Sequence, residues 1–414
     1  MNKGTVTVIG AGVVGICCAS YLQRAGFQVT VVDELPPGEG CSFGNAGIIS
    51  PRSCVPVAAP GMLWKVPGYL SDPVGPLAVR LAYFPTALPW FVRFLLAGRL
   101  SRVRAISQAM KALHASCLDD YLPLIKDAGA PDLIKQTGSL AVSRRDAAAA
   151  KNALADALRQ EAGIKSEVLG IDEIRQLVPG LSPEFKSGIF FPMTAQSVNS
   201  FRLVQVLAET VVRNGGTIRR ARVTGFDHGM DGPRALRTSG GDIPVERLVI
   251  AAGAYSQRLA VQLGTSVPLE AERGYHVMLP NPGIPMPRLP VLASEHGFYA
   301  TPMENGLRFA GTAEYAGLDA APDYRRAKIL LEHGKRMFPG LEAAGATEWM
   351  GRRPSLPDNL PVIDRSPRFP AVYYAFGHSH FGLMGAAVTG KLIAELISGA
   401  PSSIDLAPYR VTRF

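Results

Sequence analysis

VTVIGAGVVGICCASYLQRAGFQVTVVDE, residues 6–34, opens with a β-branched run at 6–9 that reads as a fully buried strand. Gly10, Gly12 and Gly15 come next at G-x-G-x-x-G spacing, residues 16–25 read as a helix that Gly26 closes, and residues 27–32 form a second buried strand ending on Asp33. Each glycine has a steric job: a tight turn at Gly10, backbone approach to a pyrophosphate at Gly12, and close helix–strand packing at Gly15. The helix N-terminus offers N–H donors and partial positive charge to phosphates. Asp33 can accept from a ribose hydroxyl. The glycine spacing alone is weak, but strand, turn, helix, strand and terminal acid together specify a dinucleotide site.

The segment after Glu34 decides which dinucleotide. A nicotinamide domain normally runs on into another βα unit. Here residues 35–62 form a long segment rich in glycine, proline and serine, including Ser42-Phe43-Gly44-Asn45-Ala46-Gly47. Loops of this length inside a compact domain are usually functional. Small residues can wrap an extended cofactor whose reactive ring lies far from its pyrophosphate, which favours FAD over NAD.

The 414 residues suffice for two domains, and 47% hydrophobic with 19% charged content describes an ordered globular chain. A net charge of +9 suits anionic partners, yet no basic run or aromatic-interleaved stripe appears, so nucleic acid is not expected. Cys17, Cys18, Cys41, Cys54 and Cys117 form no C-x-x-C pair, and their odd number does not point to a disulfide framework. Cytoplasmic residence is the expectation, and no metal cluster is expected. No uninterrupted apolar run reaches about 18 residues, so no bilayer span is expected.

Residues 77–107 are apolar but broken by Pro85 and Pro89 and punctuated by Arg80, Arg93, Arg99, Arg102 and Arg104. Two short amphipathic helices with a basic edge fit. They would either cap the substrate domain or dock on an anionic membrane at its inner face. Helix is expected to continue over 109–128, with a strand at 138–143, an alanine-rich exposed helix at 147–161, a helix at 172–177 and a strand at 188–193. Residues 201–214 form an amphipathic helix stopped by Gly215-Gly216. Residues 217–226 alternate as one strand, 234–238 pair with 242–244, and 248–252 make a buried strand. Residues 274–279, 297–302 and 307–314 read as strands of a second sheet, and 325–337 as a helix. A proline-rich loop at 352–370, a strand at 372–376 and a helix at 383–397 close the chain.

Two late motifs carry chemistry: Gly351-Arg352-Arg353-Pro354, and Gly377-His378-Ser379-His380-Phe381-Gly382-Leu383 opening the last helix. With the N-terminal fingerprint and Val249-Ile250-Ala251-Ala252-Gly253, they resemble the FAD-dependent D-amino-acid oxidase superfamily over essentially the whole chain. Within it, the loop at 42–47 and the segment 85–99 look like bacterial D-amino-acid dehydrogenases acting on D-proline-like or D-hydroxyproline substrates.

That resemblance implies non-covalent FAD, with pyrophosphate and ribose on Gly10, Gly12, Val13, Val14, Gly15, Asp33 and Glu34. Ser42, Asn45, Ala46, Gly47 and Ile48 would line the flavin side of the loop. Val223 would hold the adenine, Ala252 and Gly253 would lie beside the dinucleotide, and Gly382, Leu383 and Met384 would present N–H groups to the flavin's pyrimidine edge. A helix N-terminus there stabilises the negative charge that reduction brings. The family's G-x-R-P arginine binds the substrate carboxylate and falls on Arg353, whose planar guanidinium suits a carboxylate. His380, Tyr275 and Tyr299 would face or shape the substrate pocket.

The expected fold is α/β: a Rossmann-like FAD-binding domain (1–52, 201–256, 351–414) interleaved with a mixed-sheet α+β substrate domain (53–200, 257–350). The expected reaction is hydride transfer from the α-carbon of a small or cyclic neutral D-amino acid to flavin N5. Electrons would pass on to a quinone or other carrier. The alternative is a glycine- or sarcosine-type oxidase that makes hydrogen peroxide.

Overall fold

A computed structural model of the chain describes residues 3–62, 64, 66, 68, 72, 74–146 and 152–414. The expected βαβ start is present: Thr5–Ile9, helix Val13–Arg24 and Gln28–Asp33, with the two strands parallel in register Thr5 to Gln28 through Ile9 to Val32. These strands are nearly continuous Val/Ile runs because both sheet faces are covered. Thr217–Arg220 joins one side of this pair, and Leu248–Ile250 then Val372–Phe376 join the other, all parallel. Val362–Arg365 closes that edge antiparallel. The strand order reverses beside Thr5–Ile9, and in such sheets ligands bind in the crevice at the carboxyl ends of the strands.

The last helix, Gly382–Ser398, lies against the first. A Cβ on Gly390 would stand 2.5 Å from the Cys17 carbonyl oxygen, so the two backbones approach too closely for any larger residue. Leu392 and Ile393 are fully buried there, each worth about 1.5–3 kcal/mol. With the short turn before it this helix runs 20 residues, long and apolar enough to span a bilayer, but 67% of that stretch is buried inside the protein. It is the core helix of the nucleotide layer. Cys17 and Cys18 pack there as buried apolar groups.

A second sheet of nine strands has Glu270–Leu279 between Thr347–Ser355 and Gly306–Tyr315. Helix Arg325–Met337 covers one face of it, burying Ala327, Leu330 and Met337. The chain is thus α/β with a parallel nucleotide sheet and a mixed second sheet.

Several expectations change. The strand expected at 217–226 is two: Thr217–Arg220 stays in the parallel sheet, and Val223–Gly229 turns into a three-stranded antiparallel sheet with Gly232–Thr238 and Ile243–Pro244. Alternation persists through the bend, so periodicity cannot reveal the change of partner. The loop expected at 352–370 begins as strand, because Arg352, Arg353 and Pro354 lie on Thr347–Ser355. That strand is at the sheet edge, where a proline is tolerated. It pairs along its length with Glu270–Leu279 of the second sheet, with one further bridge from Ser355 to His378, so a domain boundary at 351 cuts through it. Helix does not run unbroken over 109–128. It ends at His114 and resumes at Leu122–Asp127 with Pro123 in its first turn. Of the helix expected at 147–161, residues 147–151 lie outside the described residues, and Ala153–Glu161 is helical.

Residues 77–107 fold as a strand Leu77–Val79, parallel to Ala313–Tyr315, then helices Phe84–Ala97 and Leu100–His114 at 89° to each other. Trp90 packs inward against Tyr315 and donates to the Ser355 carbonyl (3.2 Å). Leu81, Phe84, Leu88, Val92 and Leu96 remain exposed along the outer face.

Candidate active site

A cavity of about 1050 Å3 runs from the carboxyl ends of the parallel strands to the face of the second sheet. Gly10, Gly12, Val13, Val14, Asp33, Glu34 and Val223 line its nucleotide end. Ser42, Asn45, Ala46, Ile48, Ala252 and Gly253 line its flanks, and Gly382, Leu383 and Met384 stand where the last helix begins. Arg353, His380, Tyr275 and Tyr299 share the same cavity. Two expected lining residues are not on its wall. Gly15 instead lets the helix touch the strand, since a Cβ would sit 1.8 Å from the Gly10 carbonyl oxygen. Gly47 takes φ +78, with its Cβ position 2.6 Å from Ser197 O, and shapes the loop from behind.

The first helix has no side-chain cap of its own on Gly12. Ser42 reaches over from the long loop and accepts from the Val13 N–H (2.9 Å). Asp33 accepts from the Ala11 N–H (2.6 Å) and the Leu35 N–H (2.9 Å), so it ties down the glycine turn as well as facing the cavity. Burial raises its carboxyl, with those N–H bonds pulling the other way. Glu34 is paired with Arg222 (2.6 Å).

The cavity is suited to FAD on two independent features. The helix starts at Val13, where only Ser42 from the loop takes an N–H, and at Gly382, which has no side-chain cap, both border it, as a pyrophosphate and a reduced flavin require. Among the described residues, two of the three non-glycine positions with left-handed backbone, Thr312 (φ 59) and Ser379 (φ 50), also lie on its wall. Each keeps a buried hydroxyl without a hydrogen-bond partner. Strained backbone and orphaned hydroxyls at one cavity mark a binding site, because each costs free energy that only a function repays.

At the far end, Arg353 stands directly opposite Glu272 in the antiparallel register, with both side chains on one face. Arg353 Nη1 donates to Glu272 Oε1 (2.7 Å) and the Thr312 carbonyl (2.8 Å), and Nη2 to the Gly311 carbonyl (3.3 Å). The left-handed Thr312 sits at a register shift opposite Gly274, a bulge that aims its carbonyl at the guanidinium. Arg352, the neighbour, donates instead to the Leu318 carbonyl (2.6 Å). Arg353 is therefore the guanidinium paired into the substrate end.

His380 is exposed on the cavity wall, and the protein packed around it pushes it down to about 4 against the pull of Glu272, with Arg353 acting in the same direction. Tyr299 is half-buried on the wall, and Arg52 donates to its hydroxyl, a contact that does not engage the phenolic hydrogen. Tyr275 alternates with Glu272 and Gly274 along its strand, so its ring turns to the opposite face of the sheet, into the core under helix Arg325–Met337. Its hydroxyl donates to Glu314 and accepts from the Asp323 N–H (2.9 Å), so it is held there and does not bond substrate.

Glu272 escaped the sequence reading. It lay just before the strand expected at 274–279, which in the structure starts earlier, at Glu270. Burial opposes its charge, but Arg353 and His380, with hydrogen bonds from Arg353 and Ser355, hold the carboxyl below the usual carboxylate range. Cys41 was also missed. It lines the cavity, and burial pushes its thiol up to about 11. Among the described residues no cluster of His, Cys, Asp and Glu could hold a metal.

A doubly wound sheet with a dinucleotide fingerprint, joined to a mixed sheet that carries a guanidinium over the same cavity, defines a class of flavin-dependent oxidoreductases. Residues 5–396 match the DAO family, FAD dependent oxidoreductase. A D-amino-acid oxidase of Bradyrhizobium diazoefficiens is 40% identical, over 99% of this chain and 98% of that protein. A D-amino acid dehydrogenase of Paramagnetospirillum magneticum is 32% identical, over 99% of this chain and 98% of its own length. The crystal structure of glycine oxidase from Geobacillus kaustophilus shares the fold at TM-score 0.75 and 22% identity, covering 99% of this chain and 98% of that one. The chain belongs to the DAO family, and it is an FAD-dependent oxidoreductase of the D-amino-acid oxidase and dehydrogenase type.

Proposed function

We propose that the protein is a D-selective dehydrogenase of small or cyclic neutral amino acids, D-proline or a D-hydroxyproline among them. The observation that carries this reading is the position of Arg353: a fixed guanidinium at the closed end of a cofactor cavity, suited to an α-carboxylate. Bound FAD would supply the hydride acceptor at N5. Gly10, Gly12, Asp33, Ser42 and Gly382 would hold it, and the chain's remaining work is to anchor, orient and exclude water. A carboxylate fixed on Arg353 leaves the α-hydrogen one direction toward the ring, so handedness should be strict. Trp349, on the same face of its strand as Arg353, gives the pocket an apolar wall that suits a small or cyclic side chain.

Electrons would then pass to a quinone or other carrier. In support of an acceptor at a membrane, the exposed stripe Leu81, Phe84, Leu88, Val92 and Leu96 is flanked by exposed Arg93, Arg99 and Arg102. Peripheral contact with the inner membrane face, and cytoplasmic residence, belong to the same proposal. The second reading, an oxidase that reduces oxygen to hydrogen peroxide, is favoured by the name of the 40% identical relative. A panel of D- and L-amino acids, glycine, sarcosine and D-hydroxyprolines, with dye acceptor and peroxide both measured, separates them. Dye-linked turnover of D-proline with little peroxide is expected. Fast peroxide production from glycine or sarcosine, or equal turnover of an L-enantiomer, overturns the proposal.

A further inference from the structure

Arg353 has five N–H donors. Three are engaged by Glu272, Thr312 and Gly311, all from Nη1 and Nη2. The Nε–H and the second Nη2–H have no acceptor among the described residues. Nε and Nη2 flank one edge of the guanidinium, an edge that can meet a carboxylate with two parallel bonds. Glu272 sits at the other end, on Nη1.

The Glu272 carboxylate is as fixed as its partner. Oε1 accepts from Arg353, and Oε2 accepts from Ser355 Oγ (2.9 Å) and, at 3.4 Å, from the Tyr315 hydroxyl. An ionised carboxylate has about four acceptor sites, so it can take a further donor on its cavity side. Its side chain is 13% exposed, and that exposure is to the cavity, whose wall it forms. Arg353 and Glu272 together carry no net charge. A lone carboxylate arriving at this end meets one attracting and one repelling group, whereas a zwitterion meets a complement for each of its charges.

We propose that Glu272 is a specificity-determining residue that reads the substrate's amine: the α-carboxylate takes the Nε–Nη2 edge of Arg353 while the ammonium donates to Glu272. The inference rests on the amino-acid reading above and deepens it. The site then selects amino acids over hydroxy acids and simple carboxylates of the same shape, and a second acid on the substrate is disfavoured.

Two probes that cannot be oxidised test this. 2-Aminoisobutyrate is a zwitterion without an α-hydrogen, and pivalate has nearly its shape with a methyl in place of the ammonium. Their dissociation constants are read from the perturbation of the flavin absorbance of the holoenzyme. Wild type should bind 2-aminoisobutyrate more tightly than pivalate. Glu272→Gln should weaken 2-aminoisobutyrate by ~10- to 100-fold, the range for a lost charge-assisted hydrogen bond, and tighten pivalate. Glu272→Asp keeps the charge but shortens the reach. It should weaken the zwitterion while leaving pivalate near its wild-type value, and it carries the test if the glutamine variant does not retain flavin. Equal changes for both probes in the variants mean that Glu272 only positions Arg353, and they overturn the proposal, as does unchanged binding of 2-aminoisobutyrate. A wild-type enzyme that binds neither probe and is bleached by no amino acid overturns the amino-acid reading itself, a result distinct from the failure of Glu272 alone.

Discussion

The Arg353 guanidinium lies on the bare face of Gly274, where a Cβ would stand 2.0 Å from Nη2 and 2.2 Å from Cζ. Gly274 is buried mid-strand with Arg273 and Tyr275 on either side, so the strand cannot yield to make room. Gly274→Ala is expected to push the guanidinium off the Thr312 and Gly311 carbonyls. The Michaelis constant for the amino acid should rise at least tenfold, a loss of about 1.4 kcal/mol, with flavin content retained. Unchanged steady-state kinetics in that variant would show that the anchor has another seat.

Arg353→Ala should cost about 2–5 kcal/mol of substrate binding, because the carboxylate loses a buried ionic partner. It should also lower the melting temperature, since Glu272 is left buried and unpaired beside the empty position. Pairing it with Glu272→Gln should restore the melting temperature and not the binding. Restored binding in the double variant, or an unchanged Michaelis constant in the single one, would move the anchor elsewhere.

The nucleotide half of the site was legible because each of its residues answers to local chemistry. A glycine at φ +114 in the turn, a helix start and an acid at the end of a strand leave their marks within residues 6–34. The substrate half was legible only at Arg353, through its motif. Glu272 lies 81 residues away in sequence, and only the antiparallel register brings it opposite. The left-handed backbone of Thr312 had no signal at all, since nothing about a threonine announces a bulge. Tyr275 failed as a hydrogen-bonding candidate for the complementary reason: its hydroxyl is satisfied by Glu314, a partner that no local pattern names.

FAD is expected to leave with acid. Cys41 is the one cysteine on the cavity wall among the described residues, and with its thiol raised to about 11 it holds little thiolate at neutral pH. The other four are buried away from the wall. After trichloroacetic acid precipitation the yellow colour should be in the supernatant, and flavin retained in the pellet would contradict this.

Acid should destabilise the fold beginning well above the carboxylate range. Burial lowers His114 to about 4 and His276 and His378 to about 3. The unfolded chain takes up these protons as pH falls through about 6.5, while the folded chain refuses them until about 4 or 3. Below pH 6.5 the unfolded state therefore binds more protons, and each histidine costs ~1.4 kcal/mol per pH unit across that window. Above it they contribute nothing. Burial raises Asp33 and Glu270, which work in the opposite direction at lower pH. Urea midpoints at pH 7.5, 6 and 5 should fall in that order, and His378→Gln should flatten the slope. A midpoint constant from pH 7.5 to 5 would refute the assignment.

The outer face of helix Phe84–Ala97 should bind anionic membranes in a salt-dependent way. Phe84, Leu88, Val92 and Leu96 recur every four residues and all point outward, in line with Leu81 before them, which is 91% exposed. A water-facing helix would place polar residues there. The inner face is already satisfied by Trp90 and Phe91 against Tyr315, so the stripe is not needed for the protein's own core. Exposed Arg93 lies on this helix, Arg99 in the link after it and Arg102 on the helix Leu100–His114, and a basic residue near an anionic surface is worth about 1 kcal/mol. Apolar insertion and charge together should give co-sedimentation with vesicles of anionic lipid at low ionic strength, and release at high salt. Leu88→Asp with Leu96→Asp should abolish binding while leaving flavin content and dye-linked turnover unchanged, because neither residue lines the cavity. A protein that stays wholly in the supernatant at low salt would leave the stripe without a membrane role. A concentration-dependent doubling of mass, lost in the same variant, would assign it to a second copy of the chain.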